Sequence, residues 1–109
     1  MSGSFPCRAA AAALAAAALV LPAWAAGRAH RVGMEDVAFV PAELTVRAGD
    51  SVAWENRDIF AHTATSEAGG FDVDVPPGGK GSAVVTRAGT FGYVCRYHPN
   101  MTGEIVVEP

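Results

Sequence analysis

From Val32 to the C-terminus, apolar and polar positions alternate in short runs, each stopped by glycine, proline, asparagine or aspartate. A period of two with no stretch of helical period predicts strands and turns throughout. Val32 to Phe39 reads as a first strand, broken by Pro41, and Leu44-Thr45-Val46 as a second. Ala48-Gly49-Asp50 turns the chain into Val52-Ala53-Trp54, where Val52 and Trp54 share one face. Asn56-Arg57-Asp58 is a further turn-prone cluster, after which Phe60 to Thr65 is extended. Ala68-Gly69-Gly70 and Pro76-Pro77-Gly78-Gly79 bracket Phe71 to Val75, a short irregular segment or edge strand. Ser82 to Thr86 follows, Ala88-Gly89 turns again, and Phe91, Tyr93 and Cys95 alternate onto a common face. Gly103 precedes a closing strand, Ile105-Val106-Val107. Strands recurring at roughly eight to twelve residues between Gly/Pro turns indicate an all-β sandwich or barrel. Trp54, Phe91, Tyr93 and Met34 are expected in its core.

The N-terminal segment departs from this pattern. Arg8 precedes an unbroken apolar run from Ala9 to Leu21, and Ala23-Trp24-Ala25 has the small-x-small form of a signal-peptidase site. The run is 13 residues long, short for a bilayer span. Residues 1–25 are therefore expected to be a cleaved signal peptide. Residues 26–109 are expected to be one domain, periplasmic or otherwise exported, with no membrane span of its own. Cys7 lies ahead of the apolar run rather than after it, which argues against a lipid anchor.

Removal of 1–25 leaves 84 residues, enough for one small domain. Seven basic residues then face eleven acidic ones, a net charge of −4 (7 − 11), which argues against nucleic acid as a partner. The acidic residues are scattered and form no tail. Cysteine usage narrows the chemistry further. With Cys7 gone, Cys95 is the one thiol left, so no internal disulfide can form. A lone thiol in an oxidising compartment is a liability unless buried, dimerised or metal-bound.

Cys95 opens the sequence Cys95-Arg96-Tyr97-His98-Pro99-Asn100-Met101, a thiolate, an imidazole and a thioether at three-residue spacing. Cys-x-x-His by itself is equally half of a zinc site. No second cysteine is left to complete one, and thioether is a poor zinc ligand but a usual weak axial ligand of copper. His62, beyond the Asn56–Asp58 turn, supplies the second imidazole. His62, Cys95, His98 and Met101 are thus the candidate ligands of a blue-copper electron-transfer site. His30 lacks such support and is expected to lie in solvent.

As an ordered set, the motifs from Phe39 to Gly103 resemble the small blue-copper cupredoxins. They comprise Phe39-Val-Pro41, Leu44-Thr-Val46, Gly49-Asp50-x-Val52-x-Trp54-x-Asn56-x-Asp58, His62-Thr63, Gly89-Thr90-Phe91-x-Tyr93-x-Cys95 and His98-Pro99-x-Met101-x-Gly103. The likeness covers residues 31–109 and is greatest to the amicyanin and plastocyanin branch. The two-residue gaps on both sides of His98 match the short amicyanin-type copper loop. The resemblance implies a Greek-key β-sandwich of seven to eight strands with one mononuclear type 1 copper per chain. It makes His62, Cys95 and His98 the strong equatorial ligands and Met101 the weak axial one. Cys95 is to bind as thiolate. His62 is to be buried, its other ring nitrogen held by a fixed partner, and His98 is to be the exposed ligand, framed by Tyr97, Pro99 and Asn100. Many members carry Asn where this chain has Thr63; the backbone N–H there remains a candidate donor to the Cys95 sulfur. Arg96 stands where relatives often have a small or neutral residue, and either steers an acidic partner or lies in solvent.

The function expected is that of a soluble, monomeric one-electron carrier, not an enzyme. Its redox partner proteins, a donor dehydrogenase and an acceptor cytochrome or oxidase, are to dock transiently near His98. The alternative is a periplasmic copper-binding or delivery protein. Against it, the mature chain has only Met34 and Met101 and no exposed Met-rich or His-rich cluster.

Overall fold

Residues 27–109, those described by this computed structural model, form nine strands and no helix, and buried and exposed positions alternate along most of the strands. The strands are β1 (Ala29–Glu35), β2 (Ala38–Val40), β3 (Glu43–Arg47), β4 (Ser51–Asn56), β5 (His62–Ser66), β6 (Phe71–Val75), β7 (Lys80–Val84), β8 (Gly89–Cys95) and β9 (His98–Glu108). The expected signal segment 1–25, Cys7 included, lies outside the described residues. Among the latter, no helix is long and apolar enough to cross a membrane.

The strands form two sheets, ordered β2-β1-β4-β7 and β3-β9-β8-β5-β6. Each sheet contains one parallel pair. Val32 of β1 lies opposite Trp54 of β4, and Val46 of β3 opposite Val107 of β9. The expected β-sandwich is what the chain forms. Its core is made by the inward positions of both sheets: Val32, Met34, Phe39, Val52 and Trp54 from one, and Val46, Ala64, Phe71, Val75, Tyr93, Ile105 and Val107 from the other. Aromatic rings join the layers. Trp54 stacks on Phe71 at 5.4 Å between centroids, and Tyr93 meets Phe39 at 4.5 Å. The Trp54 indole N–H donates to the Tyr93 hydroxyl at 3.2 Å, so the one polar tip this core contains on each ring is satisfied. Of the aromatic residues expected in the core, Phe91 is only partly buried and packs against its margin.

Two local readings differ from the sequence expectation. The expected strand Val32–Phe39 folds back on itself at Asp36 and Val37, whose φ values are 51° and 57°. The left-handed region is unfavourable for a β-branched residue such as Val37. The turn is held by the Asp58 carboxylate, which accepts the Asp36 N–H at 2.7 Å and the Val37 N–H at 2.9 Å. Nine strands result, where seven to eight were expected. His30, expected in solvent, instead has its ring Nε2 2.9 Å from the Asp50 carboxylate, with 23% of its side chain exposed. The parallel β1–β4 register explains the contact, since Ala29 opposes Ser51 and carries His30 to the turn before β4.

Candidate metal centre

The turn after β8 decides where the ligand candidates go. Cys95 pairs directly with His98 through the two-residue turn Arg96-Tyr97, whereas one position earlier Val94 pairs with Thr102. Between these pairs β9 has three extra residues, Pro99, Asn100 and Met101, with nothing opposite them on β8. A bulge of this kind re-aims side chains and accommodates a proline that has no N–H for a ladder. His98 and Met101, expected on a loop, therefore belong to the irregular start of β9. Met101 is 1% exposed there, among the most buried side chains of the domain.

The bulge brings Cys95 and His98 to His62, the first residue of β5. His62 Nδ1 lies 3.8 Å from Cys95 Sγ and His98 Nδ1 lies 3.6 Å from it. One donor atom from each of the three residues falls within 4.8 Å of the other two. The two imidazoles meet edge to face at 4.9 Å. Cys95 and His62 are buried, and His98 is half-buried, the most accessible of the three. A buried thiol and two imidazole nitrogens facing one point are weak hydrogen-bond partners at these distances but a good donor set for a soft or borderline metal ion.

His62 is aimed by what surrounds its other nitrogen. Its Nε2–H donates to Asp58 Oδ2 at 2.7 Å, which leaves the Nδ1 lone pair facing the sulfur. Fixing the tautomer through the second nitrogen is the usual way a metal-binding imidazole is oriented. Burial on its own would push the Asp58 carboxyl up, but the bonds from the Val37 N–H, the His62 ring and the Asp36 N–H outweigh it and hold the group below the usual carboxylate value. Buried Asn56 shapes the same loop: its amide donates to the Phe60 and Val75 carbonyls and its Oδ1 accepts the Asp58 N–H. Asp58 was legible only as a turn residue. The signal for its role was Asp-x-x-x-His across a turn, a spacing too common to act on alone.

The Thr63 N–H points at Cys95 Sγ, 3.4 Å away, as expected. Thr63 also keeps a side-chain tie to the ligand turn, because its Oγ1 accepts the Arg96 N–H at 2.9 Å. Arg96 is exposed, but its side chain is paired rather than free. Its guanidinium is engaged by Asp72 at 3.2 Å and by Asp74 at 3.1 Å, both on β6. At the accessible side of His98, Phe60 approaches the imidazole with ring centroids 5.9 Å apart. Phe60 and Tyr97 are each about half exposed and Ile59, next to Phe60, almost fully so. The apolar surface beside His98 thus includes residues from the loop before β5, which the sequence reading did not assign to it.

Comparison with known proteins agrees with this geometry. Residues 8–107 match the family model described as Cupredoxin-like domain. The chain belongs to the cupredoxin family. This cupredoxin is 32% identical to amicyanin-alpha of Methylorubrum extorquens over 103 residues, covering 89% of this chain and 87% of that one. It is 29% identical to amicyanin of Paracoccus versutus over 83 residues; there the match takes in 71% of this chain but spans only 63% of the relative's length. Among solved structures, a reduced amicyanin variant superposes with a TM-score of 0.65 at 31% identity, covering 73% of this chain and 82% of the other. In this cupredoxin the β-sandwich places His62, Cys95 and His98 together at one end, with the fourth candidate, Met101, buried in the adjoining bulge.

Proposed function

We propose that this cupredoxin serves as a one-electron carrier in which His62 Nδ1, Cys95 Sγ and His98 Nδ1 would hold one copper ion, with the Met101 thioether as a fourth, weak donor. The observation that carries the reading is the convergence of the three donor atoms, with His62 already aimed by Asp58. Copper bound there supplies a centre that takes up and returns one electron. The chain's own part is to keep that centre's surroundings constant. His62 is fixed by Asp58, Cys95 accepts the Thr63 N–H, and a packed sandwich holds both strands. A site that does not rearrange when its charge changes exchanges electrons quickly. Half-buried His98, flanked by Phe60, gives the electron an edge to cross at an apolar surface suited to brief contact. Nothing in this scheme transforms a substrate, so no enzymatic activity is proposed.

The partners under this reading are an electron-donating dehydrogenase and an accepting cytochrome or oxidase, docking at the His98 face. The working form is residues 26–109, a monomer exported after cleavage behind Ala25. Copper delivery receives no support from side-chain exposure, because Met34 and Met101 are both buried and form no accessible cluster.

Addition of Cu(II) to the purified metal-free protein is expected to give an intense blue thiolate-to-copper absorption that ascorbate bleaches and an oxidant restores. A colourless, tight Cu(I) complex that resists oxidation would support delivery instead. Absence of the blue band from folded protein with Cys95 reduced would overturn the copper-site reading.

A further inference from the structure

Arg96 and three side chains of β5 and β6 form a closed hydrogen-bonded circuit, with Asp74 as a branch, that the copper reading does not use. The Arg96 N–H donates to Thr63 Oγ1 at 2.9 Å. Thr63 Oγ1 lies 2.9 Å from Thr65 Oγ1. Thr65 Oγ1 donates to Asp72 Oδ1 at 2.8 Å. Arg96 Nε returns to that same Asp72 oxygen at 3.2 Å, and Nη2 reaches Asp74 at 3.1 Å. Each hydroxyl has one proton to give. Because Thr65 gives its proton to Asp72, Thr63 must give its own to Thr65 and accept from Arg96. The circuit thus has one direction, from the Arg96 N–H to a carboxylate whose charge the same residue's guanidinium balances. The guanidinium also lies over the Tyr97 ring at 5.7 Å, so both residues of the ligand turn are engaged.

We propose that Arg96 is a positioning residue for the metal centre, locking the Cys95–His98 turn onto strands β5 and β6 through this circuit. The inference rests on the copper-site reading given above. An exposed Arg–Asp pair by itself contributes little to stability. What sets this one apart is that the circuit shares Thr63 with the site. The Thr63 N–H donates to Cys95 Sγ while its Oγ1 belongs to the circuit. Slack anywhere in the ring therefore loosens the donor on the sulfur, and hydrogen bonding to that sulfur is one of the controls on the potential of such a site. A weaker donor leaves more charge on the thiolate, favours the oxidised ion and lowers the potential.

The test compares Arg96→Met, Thr65→Val, the double variant and Thr65→Ser, with Lys80→Met as a control that removes a surface cation on β7. Arg96→Met and Thr65→Val are each expected to lower the potential and shift the blue-band spectrum, with the double variant changing less than the sum of the two. Thr65→Ser restores the hydroxyl and is expected to restore both readouts. If only the loss of positive charge mattered, Arg96→Met would act and Thr65→Val would not, which overturns the proposal. A second readout needs no copper. In the metal-free protein, Thr65→Val is expected to speed exchange of the Arg96 amide hydrogen about tenfold, and Lys80→Met to leave it unchanged. Unaltered exchange in Thr65→Val overturns the lock even if the wild type is blue. Failure of the wild type to turn blue overturns the copper reading, and the exchange experiment then still decides the lock.

Discussion

Replacement of Asp58 by alanine strips one carboxylate from three donors at once: the Asp36 N–H, the Val37 N–H and His62 Nε2–H, at 2.7, 2.9 and 2.7 Å. The three losses are unequal. The Asp36 N–H is exposed, and water replaces its partner at little cost. The Val37 N–H is part-buried, and its residue is held in the left-handed region against its own preference. The His62 side chain is fully buried, so its N–H is left with no partner and no water. A buried donor deprived of its acceptor costs about 1–3 kcal/mol, and bonds to a charged group lie at the upper end. The sum is about 3–5 kcal/mol for Asp58→Ala, against a stability of about 5–15 kcal/mol for a domain of this kind. Urea unfolding of the metal-free protein, followed by fluorescence of buried Trp54, gives the measurement. With a slope of about 1 kcal/mol/M, the midpoint falls by about 3 M or more. Copper affinity falls about 10–100-fold, because the imidazole loses its fixed tautomer. A midpoint within about 0.5 M of wild type would refute the argument, since at that slope it corresponds to about 0.5 kcal/mol and no buried donor would have been orphaned.

Three further outcomes follow from the same reasoning. Gly103→Ala places a Cβ about 2.5 Å from the Tyr93 ring. That ring is buried and tied to Trp54 and cannot swing aside, so a loss of about 1–3 kcal/mol in denaturant unfolding is expected. Asp50 is buried and accepts the Arg28 and Arg47 N–H groups and His30, bonds that lower its carboxyl from 3.8 to about 2. A depressed carboxylate stabilises the fold above its unfolded value and stops doing so as pH falls through the folded one. Between pH of about 4.5 and about 2, wild type should therefore lose about 2 kcal/mol more than Asp50→Asn. Met101→Leu removes the proposed thioether donor, which would favour the oxidised ion, and voltammetry should show copper retained at a higher potential; a lower one would contradict the proposed ligand set.

What could be read from the sequence was whatever the chain keeps local. The Cys95, His98 and Met101 spacing is local, and so is the alternation that buries Trp54, Tyr93 and Cys95. The Asp36–Val37 turn was hidden because valine is a poor residue for positive φ, and the group that holds it there, Asp58, is more than 20 residues away. The partner of His62 was hidden although Asp58 is only four residues away, because only the folded turn points one at the other. Arg96 looked unattached for a related reason. Its acceptors sit on β6, and only the β6-β5-β8 strand order brings them beneath the turn. His30 was misplaced because a parallel pairing between β1 and β4 leaves no mark in a hairpin-by-hairpin reading.

The three unpaired residues Pro99, Asn100 and Met101 separate two stretches with different demands. Before them, Cys95 and His98 must stay in register for the donor atoms to meet. After them, Ile105 and Val107 must stay in register for the core to close against β3 and β8. Strand side chains alternate faces, so an insertion or deletion of one residue within either stretch would turn every following side chain the wrong way. Between His98 and Met101 the same change has no partner on β8 to displace, so both paired stretches keep their registers as long as Met101 keeps its buried place. Evolution can therefore lengthen or shorten the stretch between His98 and Met101 and vary the approach to the site without rebuilding the sandwich.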